Sequence, residues 1–126
     1  MKSNQEQARE FRKKYNIKSS DSKPVRTYQR DLIREEFVEF IEAEGMLFRE
    51  SDTFKEECLK ELADLVYVCY QYAVNMGWDL DKALELIHES NLSKLGEDGK
   101  PILREDGKIL KGPNYKKPNL HSLING

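Results

Sequence analysis

Apolar positions recur along most of this chain with a helical period. Ala8, Phe11 and Tyr15 fall three or four apart and predict a first helix over about residues 4–15. Residues 19–24, Ser-Ser-Asp-Ser-Lys-Pro, read as a loop by composition. The stripe Ile33, Phe37, Phe40 and Ile41 then predicts a second helix that starts near residues 25–27 and stops by Gly45. Residues 46–52 are a connector. A third helix opens at Ser51 or Asp52, either able to cap it, and ends near Gly77. A fourth runs over about residues 80–94, with Asp79 as its cap and Ala83, Leu84 and Ile87 as its buried side.

After Lys94 the period is lost. Glu97-Asp98-Gly99-Lys100 is echoed by Glu105-Asp106-Gly107-Lys108, beside short apolar runs. Asp-Gly turns in that setting suggest a small β-hairpin, and the repeat is too short for a solenoid unit. As a plain surface hairpin it does no chemistry; as an arm over a substrate it offers cations at Arg104, Lys108 and Lys111. The last stretch carries Pro113, Asn114, Pro118, Asn119 and Asn125 and is expected to be extended, with residues 118–121 crossing to a partner subunit. The expected fold is therefore all-α. It is one domain over residues 1–126, with a four-helix core at about 4–95 and a β-hairpin or extended tail at about 96–126.

The third helix is apolar over too much of its circumference for one core. Leu59, Leu62, Ala63, Leu65, Val66, Tyr67, Cys69, Tyr70, Ala73 and Val74 span an arc of roughly 200°, against the roughly 100° that a single core requires. Covering both sides calls for self-association, and a homodimer or homotetramer that completes a helical bundle is the simplest closure. Cys58 and Cys69 lie on this same helix, about 16 Å apart at 1.5 Å per residue, too far for a disulfide. They are expected to be buried thiols.

Composition narrows the class. Charged residues make up 35% of the chain, yet the formal net charge is only −2, so a general nucleic-acid binder is not expected. The N-terminus has no apolar signal region and the longest apolar run, residues 65–70, is too short for a membrane span. A cytoplasmic protein without a membrane partner is the expectation.

Chemistry enters through two acidic clusters inside these apolar helices, Glu35-Glu36-x-x-Glu39 and Glu61-x-x-Asp64. Residues three apart share a helix face. Two such helices packed about 8–10 Å apart bring four carboxylates toward one point. Acidic residues are common here, 23 of 126, and roughly four i,i+3 pairs are expected by chance, so either pair alone is a weak motif. Their setting in apolar segments carries more weight. Converging carboxylates repel unless a cation joins them, and a hard cation with oxygen ligands, magnesium, resolves the conflict while holding a phosphate substrate.

The ordered set of motifs resembles the MazG-like all-α nucleoside triphosphate pyrophosphohydrolases. Residues 32–39, Leu-Ile-Arg-Glu-Glu-Phe-Val-Glu, match that family's first motif, and residues 60–65, Lys-Glu-Leu-Ala-Asp-Leu, its second. Residues 91–95, Asn-Leu-Ser-Lys-Leu, look like its Asn-x-x-Lys. Residues 111–116, Lys-Gly-Pro-Asn-Tyr-Lys, resemble a segment of small members, phage-encoded ones included. The resemblance implies Glu36, Glu39, Glu61 and Asp64 as ligands of Mg2+, with Mn2+ as a substitute. It implies Asn91, Lys94, Lys111 and Tyr115 as substrate-binding residues, and leaves Glu35 as the catalytic base, as an outer residue, or as merely solvated. The implied reaction is hydrolysis of a nucleoside triphosphate, with a slight lean to a purine deoxynucleotide such as dGTP, to the monophosphate and pyrophosphate.

Phe11, Tyr15, Tyr28 and Phe40 are candidates to stack on a base, and equally candidates for the core. His88, His121 and Trp78 read as structural. Two alternatives stand beside this reading. One is phosphoribosyl-ATP pyrophosphohydrolase, against which the first helix and the tail count as extensions beyond a short core. The other is a non-catalytic helical interaction module with solvated acidic faces.

Overall fold

The computed structural model describes residues 1–124; Asn125, expected in an extended tail, lies outside them. Among the described residues all regular elements are helices: α1 (Asn4–Lys14), α2 (Lys23–Glu44), a 3-10 turn (Leu47–Arg49), α3 (Asp52–Met76), α4 (Leu80–Leu92) and a single-turn α5 (His121–Ile124). The all-α expectation is met. The chain divides into two compact units, Met1–Trp78 and Asp79–Gly126.

Local chemistry sets the ends of the helices in the first unit. Ser3 caps α1 in a reciprocal box: its hydroxyl accepts from the Glu6 N–H, while the Glu6 side chain accepts from the Ser3 N–H. α2 begins at Lys23, two residues or more before the apolar stripe suggested. Pro24 sits in its first turn, where a missing N–H costs nothing. Ser51, the nearer of the two candidate caps, starts α3 by accepting from the Thr53 N–H. Gly77 ends α3 in the left-handed region at φ 76°, and the Trp78 N–H reaches back to the Ala73 carbonyl at 2.9 Å. Only a residue without Cβ takes that conformation cheaply.

Within this unit α2 packs along α3 as the main pairing, and α1 packs on α3 as well. The buried apolar core is small: Ala8, Tyr70 and Ala73. A polar lattice does much of the joining. The Arg12 guanidinium donates to Gln71 Oε1 at 3.3 Å and Asn75 Oδ1 at 3.1 Å. Gln71 donates to the Ala8 carbonyl, and Asn75 exchanges hydrogen bonds with the Ser20 backbone. Gln5 donates to the Trp78 carbonyl at 2.8 Å. α1 and the loop after it are thus pinned to the last two turns of α3. Outside this lattice α3 stays bare: Leu59, Leu62, Val66 and Tyr67 are all exposed, Leu59 by 67%. Cys58 and Cys69 are free thiols, as their separation requires, but half-buried rather than buried.

The second unit begins with α4, capped as expected by Asp79, which accepts from the Lys82 N–H. The β-hairpin is corrected. What forms among the described residues is an isolated antiparallel bridge, Leu103 to Ile109, which closes over the second of two turns of similar build. In each turn an Asp side chain accepts from a backbone N–H two residues on, Asp98 from Lys100 and Asp106 from Lys108. The glycine between them, Gly99 or Gly107, takes positive φ. Both Asp-Gly signals were sound, but the runs between them are too short to build a ladder. The tail is not simply extended either. It folds back along the end of α4, where the Gly112 N–H donates to the Lys94 carbonyl at 2.8 Å. Ser90 and Ser93 bracket Lys116, Ser90 donating to its carbonyl at 2.7 Å and Ser93 accepting from its N–H at 2.9 Å. Asn119 then caps α5 through the His121 N–H.

Gly112 is the closest point of this clasp, since a Cβ there would fall on the carbonyl oxygens of Leu95 and Lys94. Gly112→Ala is therefore expected to destabilise the second unit by about 1–3 kcal/mol. Thermal denaturation checks the loss, and amide exchange at Gly112 and Lys116 should accelerate with it.

Candidate metal centre

Packing α2 against α3 places three of the four expected ligands together. One carboxylate oxygen from each of Glu36, Glu39 and Glu61 lies within 4.8 Å of the other two. Glu36 and Glu39 are half-buried and Glu61 is buried, only 7% exposed. The i,i+3 spacing supplies the pair on α2, and the interhelical packing supplies the third. The cost is visible in the charges. Glu39 is pushed up to about 7 from a usual 4.5, first by a hydrogen bond with Glu36 and repulsion from it, then by partial burial and by Glu61.

Asp64, the fourth expected ligand, stands outside this group. Its carboxylate pairs with the Lys60 ammonium at 3.0 Å, and Lys60 also reaches Glu61 Oε1 at 3.4 Å. The lysine proton is held more tightly than usual by Asp64 and then Glu61. Lys60 thus acts as a counter-ion on one side of the acidic cluster. Glu35 is exposed and also outside the group. The four residues expected at the substrate fall in the second unit. Asn91 and Lys111 are exposed, Lys94 and Tyr115 half-buried, and the Lys111 ammonium sits 4.8 Å over the Tyr115 ring. Trp78 leans on Tyr72 with ring centres 6.1 Å apart, in keeping with a structural role.

The donors fit a hard divalent cation. All are carboxylate oxygens. Two of them, Glu36 Oε2 and Glu61 Oε2, are buried with no hydrogen-bond partner. Buried carboxylate oxygens are rarely left so unless something else satisfies them.

Sequence reasoning missed two polar residues of this unit. Arg12 and Gln29 are 4% and 5% exposed, and each keeps one buried atom without a partner, Nε and Oε1 respectively. Polar residues inside helices read as solvated. The available signal was position: Gln29 precedes Glu36 by seven residues and so shares its face.

The chain belongs to the phosphoribosyl-ATP pyrophosphohydrolase family, whose model matches residues 4–91. That family is a group of all-α pyrophosphohydrolases within the MazG-like superfamily, hydrolases that cut a phosphoric anhydride of a nucleotide. The match begins at residue 4 and so takes in α1, which overturns the view of that helix as an extension foreign to this family. The chain matches no curated protein. Among the described residues no helix is long and apolar enough to cross a membrane.

The raised Glu39 predicts a pH signature. In the metal-free protein Glu39 holds a proton that the unfolded chain releases above about 4.5. Stability from this group is thus fully present below 4.5 and is lost as pH rises through about 7. The metal-free melting temperature should fall across that window. Magnesium, which competes for the same oxygens, should flatten the fall and should bind more tightly toward pH 7 and above. Thermal shifts at matched pH with and without magnesium test both trends.

Proposed function

We propose that this protein hydrolyses a nucleoside triphosphate to the monophosphate and pyrophosphate with magnesium as cofactor, manganese serving as a substitute. The observation that carries the reading is the trio Glu36, Glu39 and Glu61 with its two unpartnered buried oxygens. Magnesium bound there supplies positive charge to phosphate oxygens and lowers the pKa of water. The protein's own part is to hold the cation between two helices and to orient the anhydride. Glu35 is proposed as the group that takes the proton from the attacking water. Asp64 completes the ligand set once Lys60 gives way. Asn91, Lys94, Lys111 and Tyr115 are proposed to hold the triphosphate, the lysines as point charges.

A second substrate has a specific observation in its favour. The matched family is that of phosphoribosyl-ATP pyrophosphohydrolase, and its substrate carries the same triphosphate. The shared chemistry, cleavage between the α and β phosphates, is common to both readings, and a purine deoxynucleotide such as dGTP remains our first choice. We place the protein in the cytoplasm.

A panel of ribo- and deoxyribonucleoside triphosphates and phosphoribosyl-ATP, read by pyrophosphate release, decides among substrates. Glu61→Gln should lower kcat by at least about 100-fold on whichever is cut, since even residues behind metal ligands cost about 10–100-fold. Retained turnover in that variant at saturating magnesium removes the trio from the mechanism, whereas no turnover of any substrate in the panel by the unaltered protein makes a helical interaction module the better reading.

We further propose that the bare face of α3 is covered by a second copy, giving a homodimer or homotetramer. Sedimentation at micromolar concentration should show an assembly and not a monomer. Leu59→Glu, at the most exposed apolar position of that face, should shift it toward monomer.

A further inference from the structure

A cavity of about 360 Å³ lies in the first unit, lined by Phe11, Arg12, Tyr28, Gln29, Leu32 and Val68 among others. We infer that it is the pocket for the nucleobase, and that Gln29 reads the edge of the base. The inference rests on the function proposed above and adds what that function leaves open, where the base sits and what selects it.

Three observations converge. The first is register. Glu36 and Glu39 of α2 meet Glu61 of α3, whereas Gln29 and Leu32 share the cavity with Val68 and Gln71. Numbers fall on α2 as they rise on α3, so the helices are antiparallel. The cavity is displaced from the carboxylates in the same direction along both. Seven residues separate Gln29 from Glu36, and seven separate Glu61 from Val68. Each is two turns, about 10 Å along the axis and back to nearly the same face. That is about the reach from an anhydride held at the carboxylates, across the sugar, to the base.

The second observation is lining. Phe11, Tyr28 and Tyr67 offer ring faces, and Leu32, Ile17 and Val68 offer apolar walls. Small-molecule pockets are built in this way, mostly apolar with few polar groups. Of the four aromatics first considered for stacking, Phe11 and Tyr28 line this cavity; Tyr15 and Phe40 do not. The third is polarity. Gln29 is 5% exposed and its Oε1 has no hydrogen-bond partner, and the same holds for Nε of Arg12, 4% exposed. A buried amide oxygen left unpaired costs about 1–3 kcal/mol. Both residues belong to the wall of one cavity, and a rotation of either side chain would bring its unpaired atom, an acceptor on Gln29 and a donor on Arg12, to a ligand with the reverse pair. A base edge that sets an N–H beside a ring nitrogen or a carbonyl provides it: the amino edges of adenine, guanine and cytosine fit, and so does the N3–H edge of thymine or uracil.

Binding of deoxynucleoside monophosphates, measured by calorimetry on the full chain, tests this apart from hydrolysis. The four monophosphates should bind more tightly than deoxyribose 5-phosphate, which lacks the base. Gln29→Leu should weaken the monophosphates by roughly tenfold and leave deoxyribose 5-phosphate within about twofold. Tyr28→Ala, at a residue 62% exposed and so safe for folding, should weaken all four by up to about tenfold through lost stacking. An equal loss for deoxyribose 5-phosphate in Gln29→Leu, or no loss in either variant, overturns the pocket. If monophosphates bind as described but no triphosphate in the panel is cut, the pocket stands and the proposed reaction falls.

Discussion

Repulsion among carboxylates that α2 and α3 force together is the constraint on which the rest of the first unit turns. The packing of α2 along α3 that builds this unit is also what brings Glu36, Glu39 and Glu61 together, so it sustains the electrostatic conflict. The protein relieves it in two ways. One carboxyl, Glu39, keeps its proton near neutrality. One cation, the Lys60 ammonium, leans against Glu61 and Asp64. The Lys60 ammonium reaches only Oε1 of Glu61, and the buried Oε2 atoms of Glu36 and Glu61 have no cationic or backbone partner. An arrangement that accepts strain at one point while the surrounding helices are well capped is typical of a functional site.

Such strain needs a rigid frame, and the frame here is not mainly apolar. With Ala8, Tyr70 and Ala73 as the buried hydrophobic residues among those described, α1 is fixed to α3 by Arg12, Gln71 and Asn75. Arg12 is a buried cation that donates to neutral acceptors, Gln71, Asn75 and the Lys18 carbonyl, and burial lowers its pKa. A polar lattice of this sort is directional where apolar packing is not, so it sets the register of α1 precisely even though its net contribution to stability is modest. It also leaves the apolar residues of α3 free to face outward, which is why that helix reads as apolar over so wide an arc.

Much of this was legible along the chain, and for identifiable reasons. The helices and most of their ends follow from periodicity and from Ser51, Gly77 and Asp79, all local signals, while the Ser3 cap of α1 is added by the structure. The meeting of Glu36 and Glu39 with Glu61 follows from i,i+3 spacing plus the expectation that consecutive helices pack together. Asp64 was harder, because spacing places a carboxylate on a face without revealing that Lys60, four residues earlier, competes for it. The C-terminal turns were legible through Asp98-Gly99 and Asp106-Gly107, whereas the clasp at Gly112 depends on Ser90, Ser93 and Lys94, remote in sequence. Gln29 was legible only in part: its seven-residue spacing from Glu36 puts it on the same face, but nothing local says that a glutamine there is buried.

The position of Gln29 bears on how a family of this kind diverges. The family match covers residues 4–91 and with them the whole carboxylate trio, and under the function we propose this part of the site acts on phosphates that every nucleotide substrate shares. On that proposal a change at Glu36 or Glu61 alters the reaction for all substrates alike. The cavity two turns away is held by other residues of the same helices, so its lining can change while the register of α2 on α3, and hence the metal site, stays put. Val68 and Leu32 are neutral in that respect, since they set shape. Gln29 and Arg12 are not, because an unpaired buried acceptor or donor penalises every ligand that fails to match it. Membership in the family thus fixes the bond that is broken more firmly than the molecule that carries it, and the residues that select this molecule lie outside the acidic motifs by which the chain is recognised.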